Sequence, residues 1–181
     1  MRLLERLWVA MLPREASRIK YIYKHKLFRE IGKNVIFVPR VLPVEPEYIR
    51  LGNNVVVAAR VTMITHDVSH LMLNELTNEG FGYYHGCIEI GNNVFIGSNV
   101  TILPDVKIGD NTIIAAGSVV CNDIKGECVV GGVPARVIES FAEFVDKRKR
   151  SLNHDFGVEA CWKKFDQTRN KMGYDNKEIV D

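Results

Sequence analysis

Three of the chain's five histidines, His66, His70 and His85, fall between positions 66 and 85, interleaved with Asp67, Tyr83 and Tyr84. An imidazole, with an ordinary pKa near 6.5, trades protons at neutral pH, so one histidine held at a cleft can act as a general base. Three histidines can alternatively ligate zinc. Tyr83 and Tyr84 add flat rings with polar tips. No other nucleophile is set up: a Ser-centred elbow is absent, and Cys87, Cys121, Cys128 and Cys161 lack C-x-x-C spacing. A secretory leader is not expected, so these cysteines are expected as buried, reduced thiols.

The elements that must position this cluster are written in a six-residue period. Ile90, Ile96, Ile102, Ile108, Ile114 and Val120 recur at every sixth place, and Val94, Val100, Val106, Thr112, Ser118 and Ile124 form a second inward series. No helix has period six, and a plain strand alternates at two without such punctuation. With Gly91-Asn92-Asn93, Gly97-Ser98-Asn99 and Gly109-Asp110-Asn111 as turns, each hexad reads as a short strand plus a corner. Stacked hexads make an all-β solenoid, a triangular parallel β-helix with three hexads to a coil.

The first coil opens at Ile31-Gly32-Lys33-Asn34-Val35 and continues through Phe37 and Val41 into a stretch with Pro39, Pro43 and Pro46. A second coil runs from Leu51-Gly52-Asn53-Asn54-Val55 through Val57 and Val61 to Ile64-Thr65-His66-Asp67, where the period breaks. Residues 69–87 form an irregular insertion, and an excursion of that length inside a regular coil points to a site. The domain reading is therefore a helical N-terminal segment over 1–30, a solenoid over 31–139 and a helical C-terminal extension over 140–181.

The net charge of +2 is unevenly spread, because residues 1–33 are strongly basic and the repeat core is acidic. Leu3, Leu4, Leu7 and Met11 follow helical spacing, and Arg18, Lys20, Lys24, Lys26 and Arg29 follow them. This segment is expected to cap the open solenoid end; the alternative is peripheral contact with an anionic membrane face. The apolar run is too short to span a bilayer, and the chain is expected in the cytoplasm. Lys147-Arg148-Lys149-Arg150 reads as a solvated face, with no nucleic-acid partner.

The runs Asn93-Val94-Phe95-Ile96-Gly97-Ser98, Ile114-Ala115-Ala116-Gly117-Ser118-Val119-Val120 and Gly131-Gly132-Val133-Pro134-Ala135-Arg136-Val137-Ile138 resemble the hexapeptide-repeat acyltransferases. The similarity is greatest to the maltose, galactoside and polysaccharide O-acetyltransferase branch and covers about residues 31–139. The resemblance implies a left-handed parallel β-helix, a homotrimer with sites between subunits, and acetyl-CoA as donor with no metal. It places His66 at the catalytic histidine, which would take the proton of a saccharide hydroxyl and return it to the departing thiolate by direct transfer. It implies Ser98 and Ala116 along the pantetheine and Arg136 at the CoA phosphates. The chain departs from it at Cys121-Asn122, where relatives carry Thr-Lys, and at Glu139, where they carry a basic residue. Asn122 and Lys125 are carried as further donor contacts, Lys125 as the substitute charge. Asp67, Tyr84, His85 and Phe95 are the acceptor-side candidates, with Glu45 and Glu47 as hydroxyl partners.

Rival readings remain. A carbonic-anhydrase-like trimer would bind zinc through His66, His70 and His85, although two of these lie in or beside the irregular insertion. A non-enzymatic scaffold would make His66 incidental, and a serine acetyltransferase would require a longer N-terminal helical domain.

Overall fold

The computed structural model describes residues 3–12, 14–77, 79–149 and 157–171. Helices α1 (Leu3–Met11) and α2 (Glu15–His25) come first. Strands β1 (Glu30–Ile31), β2 (Ile36–Phe37), β3 (Ile49–Leu51), β4 (Val55–Val57), β5 (Thr62–Met63) and β6 (His66–Asp67) lead to helix α3 (His70–Thr77). After it come β7 (Tyr84–His85), β8 (Ile88–Ile90), β9 (Val94–Ile96), β10 (Thr101–Ile102), β11 (Val106–Ile108), β12 (Thr112–Ile114) and β13 (Val119–Val120). Then β14 (Cys128–Gly131) and β15 (Arg136–Ser140) precede helices α4 (Phe141–Lys149) and α5 (Val158–Lys171).

The strands form three long ladders: a first sheet β1-β3-β8-β11, a second β2-β4-β9-β12-β14-β15, and a third β5-β10-β13. Every pairing in them is parallel except β14 with β15. From β8 to β13 the chain visits the three sheets in rotation, so each turn adds one rung to each. Within a strand such as β9 or β11 the pattern is buried, exposed, buried. Both inward series are buried, with Ile96, Ile102, Ile108 and Ile114 at 0% exposure. Each such aliphatic side chain stabilises the coil by about 1.5–3 kcal/mol relative to an exposed position.

The corner between the first and second sheets explains the Asn pairs. Asn54, Asn93 and Asn111 adopt left-handed φ of 56°, 55° and 54°, a region that Asn tolerates better than most residues. Their amides stack, with Asn54 Nδ2 donating to Asn93 Oδ1 and Asn93 Nδ2 to Asn111 Oδ1, both at 2.9 Å. Gly52 is required by close approach: a Cβ there would lie 2.5 Å from the Gly91 carbonyl oxygen.

The repeat is not uniform. Equivalent residues in β8 and β11 are 18 apart, as in the Asn92–Asp110 contact. The first coil takes 20 residues, the second 39, and the last only 16. The second holds the insertion, which is built rather than formless. β6 and β7 pair antiparallel at its neck, His66 opposite His85 and Asp67 opposite Tyr84, and α3 lies between them.

Several sequence expectations change. In the first coil Val41 is 73% exposed and Leu42 is buried, so the inward position falls one residue later between Pro39 and Pro43. Ile124 is buried but pairs with Ile108, hence the shortened last coil moves it from the second inward series to the first. Of the four cysteines, none of which is in a disulfide among the described residues, Cys128 is buried; Cys87, Cys121 and Cys161 are exposed, because they fall on corners, outward positions or an exposed helix. Among the described side chains of α1, Leu7 and Met11 face outward and Val9 is buried. Arg18, read as part of a basic surface stretch, is buried and donates to the Leu12 and Val38 carbonyls at 2.9 and 2.8 Å. Ile22 and Phe28 complete that contact with the first coil, Phe28 against Phe37.

Residues up to Val145 make one compact unit, and Asp146 onward make a second. α4 opens on a capping box in which Ser140 Oγ accepts from the Glu143 amide and Glu143 accepts from the Ser140 amide. In α5, Trp162 meets Phe165 edge-on. Among the described residues no helix is long and apolar enough to cross a membrane.

Two glycines separate close approach from backbone conformation. Gly52→Ala meets backbone of the next coil, whereas Gly117→Ala has open space and only a φ of 74° to bear. Urea denaturation is expected to give about 1–2 kcal/mol for Gly117→Ala and a larger loss for Gly52→Ala. The reverse ranking would contradict the stacked corner.

Candidate active site

The two oversized coils meet at His66. In the first, residues around Pro43 and Pro46 carry Glu45, followed by a 3-10 turn at Pro46–Tyr48. In the second, the chain leaves β5, reaches His66 and departs into the insertion. Glu45 Oε2 lies 2.8 Å from His66 Nδ1 and accepts a 2.6 Å hydrogen bond from Thr65 Oγ1. The His66 side chain keeps 25% of its surface exposed and Glu45 17%. Burial pushes the Glu45 carboxyl up, but the hydrogen bonds from Thr65 and His66 outweigh it and hold Glu45 below its ordinary value. With Glu45 ionised, His66 donates through Nδ1–H, which leaves Nε2 as the basic nitrogen.

The ring cluster closes one side of this pair. Tyr48 stacks on His85, centroids 4.8 Å apart and planes within 5°. Tyr83 lies 4.5 Å from His85, 5.5 Å from His70 and 5.7 Å from His66. Burial, then the nearby Glu45 charge, raises the Tyr83 phenol above its usual value. The three histidines thus surround a tyrosine ring, and among the described residues no three His, Cys, Asp or Glu side chains converge as a metal-binding group.

Other acceptor-side candidates are committed elsewhere. Asp67 Oδ1 accepts from the Ser69 amide at 2.6 Å just before α3, and those hydrogen bonds lower its pKa. Tyr84 donates its hydroxyl to Asp105, which raises the phenol's pKa. Glu47 is exposed within the 3-10 turn. Phe95 projects from the second sheet between Val56 and Ile113, 44% exposed.

The donor-side candidates fall on two edges of the third sheet. Before its strands, small residues stack in a column: Asn99 N donates to Ala59 O, Gly117 N to Ser98 O and Val119 N to Gly132 O, at 2.8–3.0 Å. Ser98 and Ala116 belong to this edge. After its strands comes the corner of His66, where a cleft of about 430 Å³ further along gathers Asn122, Lys125 and Arg136 with Cys121. A larger cleft of about 1120 Å³ opens beside His66 itself, toward α2 and the first coil.

Glu45 as the partner of His66 was not legible beforehand, and neither were Thr65 and Tyr48. The available signal was the disturbed first coil, whose prolines flank Glu45.

Comparison with known proteins fits these observations. The family described as bacterial transferase hexapeptide (six repeats) matches residues 87–122. Galactoside O-acetyltransferase of Escherichia coli (strain K12) is 40% identical over 130 residues, covering 72% of this chain and 61% of that relative. The structure of a maltose O-acetyltransferase from Clostridium difficile 630 aligns with a TM-score of 0.60 at 32% identity, covering 76% of this chain and 82% of that one. A galactoside acetyltransferase in complex with coenzyme A aligns at 0.58 and 30% identity, covering 86% and 85%. The chain belongs to the hexapeptide-repeat family of acyl-CoA-dependent acetyltransferases.

Proposed function

We propose that this protein transfers the acetyl group of acetyl-CoA to a hydroxyl of a saccharide-containing acceptor, with His66 as general base. The observation that carries the reading is the Glu45–His66 hydrogen bond, with His66 lining a large cleft. Nε2 of His66 takes the proton as the acceptor oxygen attacks the thioester carbonyl carbon. When the carbon–sulfur bond breaks, His66 returns that proton to the thiolate, giving the O-acetyl ester and free CoA. Glu45 positions the ring, fixes its tautomer and balances the imidazolium that forms between the two proton transfers.

The fold that supports this is a left-handed parallel β-helix assembling as a homotrimer, with residues 1–30 as its cap and 140–181 as an extension. The small-residue edge of Ser98 and Ala116 and the corner of His66 stand at opposite ends of the third sheet's strands. A donor touching both is accommodated between one subunit's His66 and a neighbour's edge. The pantetheine arm lies along Ser98 and Ala116, where a larger side chain would obstruct it, and Asn122, Lys125 and Arg136 meet the phosphates. The exposed rings of His85 and Tyr83 and the faces of Phe95 and Tyr84 contribute acceptor contacts, with Asp67 holding the insertion in place.

His66→Ala is expected to lower turnover, measured as thiol release from acetyl-CoA, by about 10²–10⁴-fold without loss of assembly; near-normal turnover would exclude His66 as the base. Glu45→Gln tests the pairing differently. The amide cannot balance the imidazolium that forms between the two proton transfers, so kcat should fall about tenfold or more with little change in KM for acetyl-CoA. A kcat that stays at the wild-type level would show that Glu45 does not act on His66.

A further inference from the structure

Beyond His66, the 1120 Å³ cleft has a feature that neutral sugars do not explain. It is lined by three arginines, Arg18, Arg40 and Arg60, against one carboxylate, Glu15. None of the three makes an ion pair among the described residues. Arg18 is 3% exposed, and its Nε is a buried donor with no partner, although its terminal nitrogens reach two carbonyls. Burying an unpaired guanidinium is costly. Among the described residues Arg40 has a single long hydrogen bond, 3.4 Å to the Ala10 carbonyl.

Arg60 is the most informative. It occupies a left-handed corner position, φ 58°, whose counterparts in the next two coils are Asn99 and Gly117 at 59° and 74°. Those residues suit that backbone region, whereas a long side chain pays roughly 1–2 kcal/mol to enter it. A local rule broken without structural return marks a functional position. Burial, and then the neighbouring charge of Arg40, lowers the Arg18 pKa against the opposing pull of Glu15.

We propose that this cleft receives an anionic group of the acceptor, a phosphate or a carboxylate, held by Arg40 and Arg60 over the buried charge of Arg18. The inference rests on the acetyl-transfer reading in that the same acceptor presents its hydroxyl to His66. Guanidinium forks suit both anions. The acceptor is therefore an acidic saccharide.

Calorimetric titration with galactose 6-phosphate, galacturonate and galactose tests binding independently of catalysis. At least one anion is expected to bind about tenfold or more tighter than galactose, and the arm that does so identifies phosphate or carboxylate. Arg40→Gln combined with Arg60→Gln should remove that preference. Equal or undetectable binding of all three compounds would overturn the proposal, as would a preference that survives both substitutions. Displacement of the bound anion by coenzyme A in the presence of a free acceptor site at His66 would assign the arginines to the donor and also overturn it. Thiol release with the same compounds separates the two readings. Anion binding without thiol release from any acceptor would sink acetyl transfer and leave the anion site standing. Release as efficient with galactose as with either anion would sink the anion site and leave acetyl transfer intact.

Discussion

Each strand of this protein has to land one rung from its predecessor, in register, on a sheet it last touched a full turn earlier. That constraint governs everything else. Parallel neighbours 18 residues apart share one interior built mainly of Ile and Val, and any coil that changes length must do so at a corner and return in phase. The corners carry the left-handed residues, the glycines with backbone pressed against backbone, and the stacked amides. A core built this way is stiff, because a slip of one residue would turn an entire inward series to solvent.

Stiffness is what the proposed proton-transfer site needs, and the irregular lengths are what make room for it. Two extra residues in the first coil set Glu45 over the corner below His66, while the longer second coil opens an insertion whose neck pairs His66 with His85. The dyad is held from both directions: Thr65 and His66 converge on one carboxylate oxygen, and Tyr83 closes over the pair. The shortened last coil acts at the other end, drawing Asn122 and Lys125 toward Arg136.

Much of the fold was legible because the signal is local and repeated. Ile90 to Val120 declare their period without reference to anything distant, and the Gly-Asn-Asn corners state their backbone conformation by residue type. What escaped is either phase or long-range pairing. Ile124 looked regular because it still falls on an aliphatic position, yet its pairing with Ile108 reveals the missing residues. Val41 and Leu42 are adjacent aliphatics, and only packing decides between them. His66 stood out by its place at the break, but Glu45 is joined to it across 21 residues and an irregular corner, which no periodicity reports. The burial of Arg18 was hidden for the same reason: a basic residue in a basic stretch reads as solvated until the first coil is seen to close over it.

The central claim is that catalysis occurs where the coil's register is broken, with the base on one subunit and the donor's wall on the next. Mixed trimers test it most directly. Co-expression of His66→Ala with Ala116→Trp, each inactive alone, should restore activity to about a quarter of the wild-type level, since random assembly leaves that share of sites with both elements intact. Mixed trimers that stay as inactive as their parents would place base and donor wall on the same chain and contradict the account.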